Sequence, residues 1–259
     1  MKSQNTLKKL ITKRIQAFGL IKLMVKNNFI TSLLLLLGSI FFISPSVLAL
    51  EPFKVTYNIY KGPLKVGAIS RDLRIKGGGQ YTFTSRMESK GFAKFLSGSL
   101  LLETSKGAIT EGKIIPHTYL RETDKPDKNY ELNFDRKSNF VKRVDSAGGY
   151  EEILKEETFD KLSYQAQMMM DLSSIVKENL KYDIASQKKI VTYNVTFIKE
   201  KKISTPMGKF KTLVVNRKDP YSSKETTVYC AEDLNWLPVR IEHTDKKGRS
   251  MAAKIASYN

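Results

Sequence analysis

Ile190-Val191-Thr192-Tyr193-Asn194-Val195-Thr196-Phe197-Ile198 is the stretch that decides the fold. Val191, Tyr193, Val195 and Phe197 alternate with Thr192, Asn194 and Thr196, the period of two that turns one face of a strand to a core and the other to water. The same alternation begins at Phe53, where Phe53, Val55, Tyr57 and Ile59 interleave with Lys54, Thr56, Asn58 and Tyr60. Between and beyond these two stretches, apolar runs and turn residues recur at the spacing of an antiparallel meander.

Working outward, Lys61-Gly62-Pro63 predicts a turn into a second strand from Leu64 through Val66 and Ala68 to Leu73 and Ile75. Gly67 inside that strand predicts a bulge or a close backbone approach. Gly77-Gly78-Gly79 is followed by the strand residues Gln80 to Met87 and not by a helix, so it reads as a hairpin turn and not as a phosphate cradle. Further strands are predicted over Ser99 to Ile109, Ile114 to Thr123, Tyr130 to Asp135, Phe140 to Val144, Phe210 to Lys218, Thr226 to Ala231, Leu237 to Thr244 and Arg249 to Tyr258. Ala147-Gly148-Gly149 reads as a connector, Phe92 to Leu96 as an apolar flap, and Thr205-Pro206-Met207-Gly208 as a tight turn of type I composition.

One helix interrupts the strands. Asp160 is placed as its N-cap, and Leu162, Ala166, Met169, Leu172 and Val176 share a broad apolar face through Val176, with Ser163, Gln167 and Ser174 elsewhere. The expected fold is therefore mainly β: a strongly curved antiparallel sheet, an open or half barrel, with one main helix packed on or in its concave face.

The N-terminal segment has a different character. Phe29 to Ile43 is an apolar run preceded by lysines and followed by Ser44-Pro45-Ser46-Val47-Leu48-Ala49, the pattern of a secretory signal cleaved after Ala49. Its basic region has ordinary length if translation starts at Met24. The alternative is an uncleaved inner-membrane signal anchor, since Phe29 to Leu50 is long enough for a hydrocarbon core of ~30 Å. Residues 50–259 are then a single β-rich domain, and the expected location is the periplasm.

The chain of 259 residues carries a formal net charge of +18. Seven bases (Lys2, Lys8, Lys9, Lys13, Arg14, Lys22 and Lys26) precede Ala49 with no acid among them, which leaves 37 bases against 26 acids, a surplus of +11, on the remainder. Such a field favours an anionic membrane surface as a partner. Nucleic acid is not expected, because the bases are scattered without an aromatic-basic recognition motif. Cys230 is the only cysteine, so no intramolecular disulfide forms, and its place in an alternating strand makes it a core residue.

Two motifs near the C-terminus point to a family. Thr205-Pro206-Met207-Gly208-Lys209-Phe210 fits a Thr-Pro-x-Gly-x-Phe turn, and Asp233-Leu234-Asn235-Trp236-Leu237-Pro238-Val239-Arg240 fits Asp-Leu-x-x-Leu-Pro-Val-Arg. With Gly67, Phe134-Asp135 and the Asp160-x-x-Ser163 helix start, the chain resembles the DUF3108 domain family of bacterial exported proteins of unknown function. Tyr229-Cys230-Ala231-Glu232 departs from the Trp-x-Ala-Pro step of that family. The resemblance implies an exported, β-rich envelope protein and carries over no catalytic residue. A looser likeness, at the level of fold, is to open β-barrel carriers of the lipoprotein-localisation type.

Catalytic chemistry has little support in the residues. His117 and His243 lie in no zinc spacing, and no Gly-x-Ser-x-Gly elbow is present. Glu151-Glu152 and Glu156-Glu157 read as solvated surface among lysines, and Asp233 with Arg240 as an ion pair closing the tryptophan loop. No catalytic residue, metal or cofactor is expected. The leading expectation is a non-catalytic module for a lipid or lipoprotein acyl chain, with Leu162, Ala166, Met169, Met170, Leu172 and Trp236 as ligand-binding residues, since thioethers line adaptable apolar sites. The alternatives are an assembly protein that binds another envelope protein, and an unrecognised hydrolase.

Overall fold

The computed structural model describes residues 50–89, 100–145, 148–174, 179–218, 225–245 and 248–259. The expected signal segment, the Phe92 to Leu96 flap and Val176 lie outside the described residues. Fifteen strands run as β1 (Phe53–Lys61), β2 (Leu64–Ile75), β3 (Gln80–Ser89), β4 (Leu100–Thr110), β5 (Lys113–Thr123), β6 (Tyr130–Asp135), β7 (Phe140–Asp145), β8 (Gly148–Ile153), β9 (Thr158–Phe159), β10 (Leu180–Ala185), β11 (Ile190–Thr205), β12 (Gly208–Lys218), β13 (Glu225–Ala231), β14 (Leu237–Thr244) and β15 (Ser250–Tyr258), with the helix α1 (Ser163–Ser174) between β9 and β10. They form one sheet in the order β8-β7-β6-β5-β4-β3-β2-β1-β15-β14-β13-β12-β11-β10-β9. All pairings are antiparallel except β9 with β10.

The sheet is open. Its ladder ends at β8 on one side and at β9 on the other. Side chains nevertheless join the two ends. The Tyr150 hydroxyl on β8 donates to the Ser186 carbonyl at 2.6 Å, and Glu152 accepts the Ile190 amide at 2.7 Å. Arg143 on β7 donates to the Gln187 carbonyl. Glu152, expected on a solvated surface, thus closes the edge where β8 meets the β10–β11 turn. Gly148 and Gly149, expected as part of a connector, open β8, and no strand was expected over Tyr150 to Ile153.

The core lies on the face marked by Phe53, Val55, Tyr57 and Ile59 on β1, all at most 6% exposed. Gly67 has the expected tight setting: a Cβ there would stand 2.5 Å from the Glu88 carbonyl oxygen of β3. Ile59 opposite it is followed by a register shift.

The start of helix α1 is capped, as expected, by Asp160. Its Oδ1 accepts the amides of Leu162 and Ser163 at 2.8 and 2.9 Å, while Ser163 Oγ accepts the Asp160 amide at 2.8 Å, a reciprocal capping box. The expected single apolar face is too narrow. Ser163 and Gln167 are buried along with Tyr164, Ala166, Leu172 and the three methionines. Gln167 is satisfied there, accepting from the Ile114 amide at 2.8 Å and donating to Asp171 at 2.9 Å. Tyr182 on β10 donates to the other Asp171 oxygen at 2.6 Å. The helix therefore ties β5 to β10, strands near opposite ends of the sheet. Tyr182→Phe should lower stability by about 2 kcal/mol, the worth of a hydrogen bond to a charged group, read from the denaturant midpoint.

Candidate functional site

The core face of β1 to β5 carries both fully buried and partly buried positions. Tyr57, Leu73, Phe83 and Tyr119 are at most 2% exposed. On the same face Ile69, Arg71, Met87, Leu101, Glu103 and Arg121 are only partly buried. Their register makes them neighbours: Ile69 pairs with Met87 and Met87 with Leu101, while Arg71 pairs with Ser85, Ser85 with Glu103 and Glu103 with Arg121. The result is an apolar row beside a charged row.

The charged row is only partly neutralised within the chain. Glu103 accepts from the Tyr119 hydroxyl and lies 3.6 Å from Arg121. Arg71 has no carboxylate within ion-pair reach among the described residues; its guanidinium stands 5.5 Å from the centre of the Tyr57 ring, and its Nε is buried without a hydrogen-bond partner. Burial holds the Tyr57 hydroxyl, which donates to the Pro238 carbonyl at 2.8 Å, up at about 12. Tyr130 is 3% exposed, and its hydroxyl has no hydrogen-bond partner among the described residues. Burial is also the main reason its pKa is raised. An inward cation and an orphan phenol beside reachable apolar side chains suit a molecule with an apolar body and an acceptor-rich, anionic end.

A second polar cluster is sealed. Ser105 Oγ donates to Asp160 Oδ2 at 2.6 Å and lies 2.9 Å from the Tyr81 hydroxyl, with Asp160 and Ser105 fully buried. Burial lifts the Asp160 carboxyl above its usual range, against the pull of its hydrogen bonds from Ser105, Ser163 and Leu162. This cluster anchors the helix start and has no opening for a substrate.

The residues expected to bind ligand divide into two places. Ala166, Met169, Met170 and Leu172 come together on α1, with Leu162 in the turn just before it, each at most 7% exposed. Trp236 stands apart from them in the β13–β14 turn, at φ 62°, where it lines a small recess with Glu200, Lys211 and Glu232. Arg240 corrects another expectation: it pairs with Glu242, two residues along the same strand face, and stacks 5.4 Å from the Tyr229 ring, instead of closing the loop with Asp233. His117 is exposed, and His243 Nδ1 lies 3.2 Å from the Thr226 hydroxyl. Cys230 is fully buried, and burial pushes its thiol up to about 12.

A groove of about 470 Å³ crosses the opposite face of the same strands, lined by Lys54, Thr56, Ser70, Asp72, Thr84 and Arg86 among others. Its acid is occupied, because Asp72 bonds Arg74 at 2.9 Å and Lys54 at 3.5 Å. No α1 residue lines that groove. The sequence holds a signal for the core-face site that the expectations passed over: Arg71 sits between Ile69 and Leu73, and Glu103 between Leu101 and Ser105, so charges occupy the core parity of their strands.

The fold is a large, open, mainly antiparallel sheet with one helix, and its candidate site is the row of charge on the core face of β2 to β5. The chain belongs to the DUF3108 family of proteins of unknown function, whose model matches residues 53–254. Among solved structures it is similar to a β-barrel-like protein of the domain of unknown function DUF1849 from Brucella abortus, at 12% identity and a TM-score of 0.52 over 81% of this chain and 98% of that one. That likeness is one of fold. A candidate lipoprotein from Parabacteroides distasonis matches at 12% identity and a TM-score of 0.38, over 81% of this chain and 95% of its own. No curated protein matches the chain.

Proposed function

We propose that this protein is a non-catalytic binding module of the cell envelope, and that it holds an amphipathic molecule, a lipid or lipoprotein acyl chain with an anionic end, on the core face of β2 to β5. The observation that carries this reading is Arg71: a core-face cation with no carboxylate partner among the described residues, next to the partly buried Ile69 and Met87. In this reading the sheet curves around α1, which fills part of its concave side by tying β5 to β10, and the wall from β2 to β5 stays reachable. Export to the periplasm rests on the basic, apolar and small-residue pattern that ends at Ala49. The helix methionines then fill the core beside the site instead of touching the ligand.

Native mass spectrometry of the purified chain tests this reading. An anionic amphiphile should co-purify with the wild type, and Arg71→Ala should lose most of it with little change in thermal midpoint. Met87→Asp, which places a charge in the apolar row, should abolish retention. A wild type that carries no amphiphile and takes none up from added lipid, or retention equal in all three proteins, would reject it.

A further inference from the structure

Strand β11 outruns its neighbours. It pairs with β10 only over Ile190 to Val195, and β12 pairs with β13 only from Thr212 onward, so the hairpin from Thr196 to Lys211 extends past both flanking strands. The extension is strongly basic. Lys199, Lys201, Lys202, Lys209 and Lys211 are all exposed, against one acid, Glu200, which stands 3.8 Å from Lys211. Lys202 and Lys211 face each other directly across the ladder, with Ser204 opposite Lys209 next along. Like charges directly opposite each other on one sheet face repel and destabilise the pair. A recess of about 320 Å³ opens on this part of the hairpin, lined by Lys202, Ile203, Ser204, Lys209, Phe210 and Lys211. Ile198 and Met207, 49% and 38% exposed, flank the lysines at the strand bend and at the turn.

We infer that the distal β11–β12 hairpin docks on an anionic phospholipid surface, with lipid phosphate seated between Lys202, Lys209 and Lys211 and with Met207 and Ile198 entering the interface. Charge complementarity selects the occupant, since a phosphate between Lys202 and Lys211 turns a repulsive cross-strand pair into a bridged one. The exposed apolar residues favour a membrane over a nucleic acid, whose backbone offers them nothing to enter. This surface is separate from the core-face site, so either reading can fail without the other.

Flotation of the purified chain with vesicles tests the assignment. Wild type should bind phosphatidylglycerol-containing vesicles, weaken as salt rises, and ignore vesicles of phosphatidylcholine alone. Removing Lys202, Lys209 and Lys211 together should cut binding on the order of a hundredfold, from ~1 kcal/mol per basic residue near an anionic surface. Lys125→Ala with Lys128→Ala, exposed bases in another loop, should leave binding nearly unchanged. Lys202→Glu supplies a second readout, because it sets a carboxylate opposite Lys211: its thermal midpoint should equal or exceed that of wild type while vesicle binding falls. Equal losses in the two lysine sets would mean general charge attraction and overturn the site. Binding of phosphatidylcholine alone, full competition by free inorganic phosphate, or tighter retention of duplex DNA through the same lysines would each overturn the lipid assignment.

Discussion

Replacing Asp160 with alanine is expected to destabilise the protein by about 4 kcal/mol, the sum of a lost N-cap of ~1 kcal/mol and of buried donors left unsatisfied at 1–3 kcal/mol each. The donors are the Leu162 and Ser163 amides and the Ser105 hydroxyl, all of which lie in the sealed cluster with Tyr81. Because the helix ties β5 to β10, its loosened start weakens both halves of the sheet together. Asp160→Asn should cost much less, since one amide oxygen still accepts the two backbone N–H groups. The two substitutions also part in their pH dependence. Burial raises the folded carboxyl's pKa above its unfolded value, so the wild type gains stability in the protonated form. That gain is complete below the ordinary carboxylate value of about 4 and is lost as pH rises through the folded value. The margin of wild type over Asp160→Asn should therefore widen on acidification, and a constant margin in urea melts across that range would contradict the assigned burial.

Gly107→Ala is the second large effect, expected to cost about 3 kcal/mol, the upper end for overpacking, because its nearest neighbour is a backbone carbonyl that cannot rotate away. A Cβ on Gly107 would stand 2.1 Å from the Ile115 carbonyl oxygen and 2.9 Å from both Pro116 Cα and Tyr81 Cε1. The crowding follows from the register. Gly107 pairs with Pro116 just where the β4–β5 ladder shifts, which brings the two backbones together beneath the Tyr81 ring. Relief requires β4 and β5 to part next to Ser105 and the helix cap. Gly77→Ala, where a Cβ meets nothing within 4 Å, is the matched control and should lie close to wild type in thermal melts.

What the sequence displayed, and what it hid, follow from how each element is stabilised. Strands with one buried face, such as β1 and the first half of β11, announce themselves by alternation, and Asp160 announced the helix start by its chemistry. The second half of β11 hid because its lysines have no core beneath them: Ile203 is the one buried residue from Thr196 to Thr205, so the pattern stopped where the ladder did not. Strand β8 hid behind Gly148 and Gly149, which read as turn residues although Gly149 pairs with Val144. Strand β9 is two residues long and below any periodic signal. The candidate site was harder to see. The methionine run drew attention to the helix, whose side chains are sealed in the core. Arg71, a core-face cation with no carboxylate partner among the described residues, shows in the sequence only by its parity between Ile69 and Leu73.

The pairing of β1 with β15 has a consequence for how the molecule is made. Every other neighbour in the sheet is also a neighbour in the chain, so the order is that of an unbroken meander whose join has been moved: the missing bond lies between β8 and β9, and a long-range one joins the two ends of the domain. Asn259, just past β15, completes this closure by exchanging two backbone hydrogen bonds with Lys54 at 2.8 and 2.9 Å. Local hairpins form with short loops, whereas this one ladder must close a loop spanning nearly the whole domain, the slowest kind of contact to make. A chain synthesised from its N-terminus therefore keeps β1 as an edge strand, with Tyr57 and Ile59 short of their partners Ile255 and Ala253, until β15 has been added.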